Sequence, residues 1–114
     1  VVARHWTQDY EWHVHYPFAL EAGVKAATAE AIADGRRPEN MEADEAAVYD
    51  FNMELFRNKR VSDATYARAL KIFGEQGVID LTAINGYYSL LAMTMNVARM
   101  PISAAGKKLP RLPE

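Results

Sequence analysis

The chain has 114 residues, of which half are hydrophobic and a quarter are charged. This length and composition fit one domain that buries a core and exclude a disordered tail. Thirteen basic and fifteen acidic residues give a formal net charge of −2. We expect no nucleic-acid partner, because no excess of positive charge is present to neutralise phosphates. The absence of cysteine excludes a disulfide framework, thiolate catalysis and a cysteine zinc site.

The composition predicts an all-α fold, since nineteen alanines stand against thirteen valines and isoleucines together. The first long helix is predicted over 10–22 and ends at Gly23, and the second is predicted over 26–34 and ends at Gly35. Both glycines stand where a left-handed C-terminal cap is expected. Residues 36–40 then form a loop.

Three more helices are predicted after this loop, which gives four to five helices after an opening turn. Each has a recognisable start or stop signal in the sequence. They run from Glu42 or Asp44 to Asn58, from the N-cap Ser62 to Glu75 with Gly77 after its end, and from Val78 to Arg99 with Pro101 as the stop.

The longest apolar stretch, Val78 to Met100, is interrupted by polar residues. It predicts a buried helix in a water-soluble protein, not a membrane span. Because the first residues show no secretory signal, we expect a cytoplasmic protein with no membrane partner. The opening residues are expected to continue an element whose beginning is missing. Residues 1–100 are predicted to form the helical domain, and residues 101–114 an extended tail that is mobile or packed on a partner subunit.

The segment from Gln8 to Gly23 holds the residues most suited to chemistry. At about 100° per residue, its side chains divide between two faces of a helix. The small alanines and Phe18 mark one face as packed inward, and the opposite face is expected to be solvated. The inward face holds Gln8, Glu11, Trp12, His15, Phe18, Ala19 and Ala22, and the outward face holds Asp9, His13, Pro17 and Leu20.

Glu11 and His15 are four residues apart on the inward face, and two interpretations are open. The pair can be a helix-stabilising ion pair or hydrogen bond worth a few tenths of a kcal/mol. It can also be a general acid/base unit, with a carboxylate beside an imidazole in a partly dry pocket. No metal is expected, because His13 and His15 point to nearly opposite sides and the pair alone supplies two ligands.

The last predicted helix can add a pocket wall through Tyr88 and Asn96. The alternative is that its Tyr and Met residues fill the core and a subunit interface, with Gly86 and Ala92 permitting close helix contact. No phosphate-binding glycine motif and no nucleophile elbow occurs in the sequence.

Several fragments in order resemble the carboxymuconolactone decarboxylase family of the alkyl hydroperoxidase D-like superfamily, and together they cover nearly the whole chain. The resemblance implies an all-α, alkyl hydroperoxidase D-like helical bundle that assembles as a homodimer, trimer or hexamer. It also implies that residues 1–100 are the C-terminal part of the family domain. The fragments are Tyr10-Glu11-Trp12 with His15, Ala19 and Ala22-Gly23; Asp44 to Phe51; Val61 to Tyr66; Gly86-Tyr87-Tyr88; and Ala92-Met93 with Asn96.

Peroxidase members of this family carry C-x-x-C-x-x-x-H, and their histidine falls on His15. Their two cysteines fall on Gln8 and Glu11, which cannot form a sulfenic acid or a disulfide. The resemblance therefore implies a decarboxylase or related lactone-processing enzyme, not a thiol peroxidase. Decarboxylase members act on a carboxylated lactone and need no metal or organic cofactor.

We accordingly expect a small carboxylated substrate, with His15 as general acid/base and Glu11 orienting or charging it. Gln8, Trp12, Tyr88 and Asn96 are the predicted substrate-binding residues. The alternative is a non-catalytic helical oligomer, or a small-ligand binder, on the same scaffold.

Overall fold

Five α-helices make up the regular structure of residues 1–112, the part of the chain that the computed structural model describes. No strand occurs within these residues, so the predicted all-α class is confirmed. The more specific alkyl hydroperoxidase D-like arrangement stays a prediction, and the end of the predicted tail, 113–114, lies outside the described residues. The helices are α1 (Val2–His5), α2 (Asp9–Glu21), α3 (Ala26–Ala33), α4 (Ala43–Asn58) and α5 (Asp63–Val97).

Most helix ends lie where the sequence signals predict them. The Ser62 hydroxyl caps α5 by accepting a hydrogen bond from the Thr65 N–H at 3.3 Å. Glu42 is the N-cap of α4. After α2 and α3, Gly23 (φ 99°) and Gly35 (φ 71°) have the left-handed backbone that favours glycine.

The sequence predicts that one helix ends at Glu75, with Gly77 separating it from the next. In the structure the break lies earlier, at Gly74. Gly74 has φ 72° and ψ 177°, which interrupts α5 and bends it. Gly77 stays helical, and a Cβ there would lie 2.5 Å from the Phe73 Cβ. A side chain at position 77 would therefore clash with Phe73, so this position requires glycine although it stays helical.

The core consists of two clusters with a cavity between them. The first cluster surrounds Trp12 of α2, which packs against alanines of α1 and α3. The second joins α4 to α5 through Phe51, Ala69 and Val78. Trp12 from the first cluster and Leu81, packed on the second, both border the cavity.

Burial along α2 is limited to its first half. Gln8, Glu11 and Trp12 are buried as predicted, but Phe18 and Ala22 are exposed. The prediction that the whole face packs inward is therefore wrong for the second half of the helix. The cause is that, after Trp12, only Tyr16 of α2 packs against a described core cluster.

The segment after α5 packs back on the same chain. Leu109 is buried in the cluster around Trp12, and its N–H donates to Asp9 Oδ1 at 2.9 Å. The Arg111 guanidinium donates to Asp9 Oδ2 at 2.6 Å. These hydrogen bonds hold the pKa of the Asp9 carboxyl below its usual value. Asp9 is thus a docking point for the tail, contrary to the predicted solvated position, and the described part of the tail packs on its own chain.

The part of α5 after Gly74 is not the buried helix that its apolar composition predicts. One side packs on α4, but Leu90 is 56% exposed and Val97 is 85% exposed. The prediction is wrong because only one stripe of this helix meets the core. Within residues 1–112, no helix has both the length and the apolar character needed to cross a membrane.

Candidate functional site

A cavity of about 540 Å³ lies where all five helices meet. This volume falls within the range of small-molecule sites, roughly 300–1,000 Å³. Aliphatic and aromatic side chains form most of its wall, so water inside it has few partners. The polar or ionisable side chains that border it are Glu11, His15, Tyr16, Asn52, Asn85 and Tyr88.

A second groove, of about 600 Å³, runs along α4 and the start of α5, but most of its charged side chains are hydrogen-bonded within the chain. The Asp50 carboxylate accepts hydrogen bonds from Arg37 and Arg68 at 3.0 and 2.8 Å. The Glu54 carboxylate accepts one from the Thr65 hydroxyl at 2.7 Å. These groups stabilise the fold, so the cavity at Glu11 is the candidate functional site.

Glu11 is the most unusual group in the cavity. Its residue is 5% exposed, and neither carboxylate oxygen accepts a hydrogen bond from any residue in 1–112. Burial raises the pKa of the Glu11 carboxyl to about 7. The cause is that an apolar surrounding disfavours the charged form. Glu11 can therefore bind and release a proton near neutral pH.

The start of α2 explains why the Glu11 side chain is unpaired. A glutamate at the third helical position often accepts a hydrogen bond from the N-cap N–H. Here the N-cap is Gln8, and its N–H already donates to the Ala3 carbonyl at 2.9 Å. The Gln8 Oε1 in turn accepts from the N–H groups of Tyr10 and Glu11 at 2.7 and 3.1 Å. The backbone of Glu11 is thus fixed, while its carboxyl borders the cavity.

His15 lies one helical turn after Glu11 and borders the same cavity, but it is exposed. Its ring packs edge-on against Tyr88, with 5.1 Å between the ring centroids. No hydrogen bond joins Glu11 to His15 in the described structure. The hydrogen-bonded pair that the spacing allows is therefore not formed, because the carboxyl is buried while the imidazole lies at the cavity mouth.

Two asparagines on the cavity wall were not predicted as site residues. Asn85 Nδ2 donates to Asn52 Oδ1 at 2.6 Å, and both residues are buried. The pairing leaves the NH₂ group of one asparagine and the carbonyl oxygen of the other for further partners, whichever way round the two amides are placed. A usable signal was present: Asn52 stands between Val48 and Leu55 on the apolar face of its helix.

The structure divides the predicted substrate-binding residues into two groups. Trp12 and Tyr88 border the cavity, whereas Gln8 and Asn96 are not among its lining residues. The Gln8 Nε2 donates to Asn96 Oδ1 at 3.1 Å, and Asn96 Nδ2 donates to the Trp6 carbonyl at 2.8 Å. These two side chains link the start of α2 to the end of α5.

The indole N–H of Trp12 is also buried without a hydrogen-bond partner among the described residues. Adjacent residues of α2 thus leave a carboxyl group and an N–H group unsatisfied beside one cavity. Unpaired buried polar groups are costly, so their occurrence together favours a role in ligand binding. Across residues 1–112, no group of three histidine or acidic residues is arranged to hold a metal ion.

Comparison with protein-family models, with curated proteins and with solved structures gives no match to this chain.

Replacement of Glu11 with Gln tests the unpaired carboxyl through stability. The pKa of Glu11 is higher in the folded protein, at about 7, than its ordinary value of 4.5. Folding therefore favours the protonated form, and the stability from this preference is complete below about pH 4.5 and lost as pH rises through about 7. The free energy of unfolding of the variant, taken relative to that of the wild type, should therefore increase by at most about 3 kcal/mol from pH 5 to pH 8.

Urea unfolding at both pH values measures this difference, and Glu21→Gln, at an exposed position on the same helix, is the matched control. The control should follow the wild type at both pH values. A gain for Glu11→Gln that does not change with pH would contradict the raised pKa of Glu11.

Proposed function

We propose that the chain is a cofactor-independent decarboxylase, or a related lactone-processing enzyme, acting on a small carboxylated substrate. The observation that carries this proposal is the buried Glu11 carboxyl, unpaired among the described residues and bordering a mainly apolar cavity. Burial raises the pKa of that carboxyl to about 7, which suits a proton donor at neutral pH. The resemblance of residues 10–23 to the carboxymuconolactone decarboxylase family supports the same class of reaction.

The proposed reaction needs an apolar surrounding and one proton. Loss of CO₂ disperses the charge of the substrate carboxylate, so a water-poor cavity favours this step. The bond between the carboxyl carbon and the substrate breaks, and its electron pair stays on the substrate carbon. Neutral Glu11 then gives its proton to that carbon and becomes a carboxylate. A proton from solvent restores Glu11, so each turnover consumes one proton and releases one CO₂.

The roles of the two ionisable residues are reversed relative to the sequence prediction. Glu11 is the proposed proton donor, because its carboxyl is the buried group. His15 is proposed to orient the leaving carboxylate and to return protons from solvent, because it lies at the mouth. Trp12 and Tyr88 are proposed to contact the substrate. Gln8 acts as a positioning residue, since its side chain fixes the backbone of Glu11.

A second candidate function is a small-ligand binder without catalysis. The observation that favours it is the missing hydrogen bond between Glu11 and His15 within the described residues. A binding site needs only the apolar walls and the spare amide groups of Asn52 and Asn85. Thiol peroxidase activity ranks below both candidates, because the chain has no cysteine.

Variants of the two cavity residues test the catalytic proposal. Glu11→Gln removes the proton donor and should lower CO₂ release by about 10²–10⁴-fold, the usual contribution of a positioned acid. His15→Ala should reduce it less, because solvent can still supply protons. Wild-type turnover should be highest below pH 7 and fall as Glu11 ionises above it. The measurement is CO₂ release from a panel of carboxylated lactones that carry one or two carboxyl groups.

Two controls separate catalysis from folding. Glu21→Gln and His13→Gln replace exposed residues of α2, and both should keep wild-type turnover. Glutamine at position 13 retains an acceptor for the Lys107 N–H, which His13 Nδ1 accepts at 3.1 Å. Turnover by folded Glu11→Gln equal to the wild type would refute Glu11 as the donor. No CO₂ release from any lactone would favour the non-catalytic binder.

We also propose that the protein forms a homo-oligomer, a dimer, trimer or hexamer, through the exposed side of α5. No charged residue occurs between Asp80 and Arg99. The exposed residues there include Tyr87, Leu90 and Val97, and a Cβ at Gly86 would meet nothing within 4 Å. An extended apolar surface with an open glycine favours close packing of another helix.

Light scattering at micromolar concentration tests this interface. The wild type should have a mass that is a multiple of the chain mass, and Leu90→Asp should shift it toward the monomer, because burying a carboxylate costs several kcal/mol. The control Lys71→Asp changes an exposed residue before Gly74 and should keep the wild-type mass. A monomeric wild type would contradict the proposal.

A further inference from the structure

We propose that the substrate of the Glu11 cavity is a monocarboxylic acid with an apolar body, bound as its monoanion beside a protonated Glu11. This inference rests on the proposed function, since it names the substrate class of the same site. It is narrower than the sequence-based expectation, which leaves the number of carboxyl groups open.

The first reason is the shortage of positive charge on the cavity wall. Among the described residues that border it, His15 has the only side chain that can carry a positive charge. A dianion would leave one carboxylate in an apolar surrounding without a counterion, which is strongly unfavourable.

The second reason is the shape of the polar surface. Apart from Glu11, the Trp12 indole N–H and the hydroxyls of Tyr16 and Tyr88, the polar groups lie at two places: His15 at the mouth, and the hydrogen-bonded asparagines, Asn52 and Asn85, on α4 and α5. The spare amide donor and acceptor of the asparagine pair suit one neutral polar group, such as a carbonyl or hydroxyl. The wall otherwise suits an apolar body, since the lining also includes Ala3, Trp12, Ala29, Ile32, Val48 and Leu81.

The third reason is the spacing of Glu11 and His15 along α2. Side chains four residues apart on a helix have Cβ atoms about 5–6 Å from each other. A carboxylate held at His15 therefore places the attached carbon toward Glu11, where it needs a proton after CO₂ leaves. One carboxylate fits this arrangement, and a second would have to enter the apolar part of the cavity.

Binding of the anion should be coupled to protonation of Glu11. The ionisable side chains that border the cavity with Glu11 are His15 and Tyr16 on α2 and Tyr88 on α5, and none comes from α1. The cavity residues of α3 and α4, including Ala29, Val48 and Asn52, are not ionisable. A bound carboxylate adds a negative charge to this surrounding and so favours neutral Glu11. The complex should therefore take up a proton from solvent at pH 7.5.

Two acids that differ by one carboxyl group test the proposal. 3-Phenylpropanoate is a monoanion at pH 7.5, and phenylsuccinate is the same skeleton with a second carboxylate. Isothermal titration of the wild type should show 3-phenylpropanoate binding at least about tenfold more tightly, a difference of about 1.4 kcal/mol. Repeating the titration in buffers of different ionisation enthalpy should show uptake of up to about one proton per bound monoanion.

Glu11→Gln and the control Glu21→Gln complete the experiment. Glu11→Gln should take up clearly fewer protons per bound 3-phenylpropanoate than the wild type, with any remaining uptake at His15, and should still discriminate against phenylsuccinate, because the wall gains no cation. Glu21→Gln should match the wild type in both respects. Equal or tighter binding of phenylsuccinate, proton uptake by Glu11→Gln equal to that of the wild type, or no binding of either acid at millimolar concentration would each overturn the proposal.

The two proposals fail in distinguishable ways, because neither acid has to react in this experiment. Discrimination by the wild type without CO₂ release from any carboxylated lactone would overturn the decarboxylase and keep the ligand class. CO₂ release together with equal binding of the two acids would keep the decarboxylase and overturn the monoanion preference.

Discussion

The position of α2 depends on Gln8, a buried side chain that joins three helices. The backbone N–H of Gln8 donates to the Ala3 carbonyl of α1. The side-chain Oε1 accepts hydrogen bonds from the N–H groups of Tyr10 and Glu11 at the start of α2. Its Nε2 donates to Asn96 near the end of α5. Because Gln8 satisfies the backbone groups at this point, Glu11 is left without its usual partner at the helix start. The junction that stabilises α2 is thus also what leaves an unpaired carboxyl beside the cavity.

The tail reinforces the same helix from its other side. Leu109 packs with Trp12 in the first cluster, and Asp9 accepts hydrogen bonds from the tail backbone and from Arg111. Lys107 pairs with Glu30 of α3 at 2.9 Å. A residue of α2 that borders the cavity, Trp12, therefore depends on packing from a segment about a hundred residues later. This packing supports the Glu11 wall from behind, since none of residues 101–112 lines the cavity.

The sequence predicts local features of this fold well and long-range features poorly. The caps at Ser62, Gly23 and Gly35 were predictable because a cap depends on residues a few positions away. The placement of Asp9 was not, since its partners Leu109 and Arg111 are distant in the chain and no local pattern links them. The exposed side of α5 was missed for a related reason. No charged residue occurs between Asp80 and Arg99, so no charged face shows which side of this helix meets the core.

In the candidate site, too, local features were predictable from the sequence and long-range features were not. The helical spacing correctly places Glu11 and Trp12 inside, and it brings Glu11 and His15 to one cavity. It does not show that the carboxyl would be buried and the imidazole exposed, because this depends on how far the core extends along α2. Asn52 and Asn85 meet only because α4 packs on α5, so their hydrogen bond follows from tertiary structure.

The central claim is that Glu11 keeps its proton up to neutral pH. The most direct measurement is a ¹³C NMR titration of the glutamate side-chain carboxyl groups, with the Glu11 signal assigned by its absence in Glu11→Gln. We predict that this signal titrates at about pH 7, clearly above the ordinary glutamate value of 4.5. A Glu11 signal that titrates near 4.5, together with the exposed glutamates, would contradict the account.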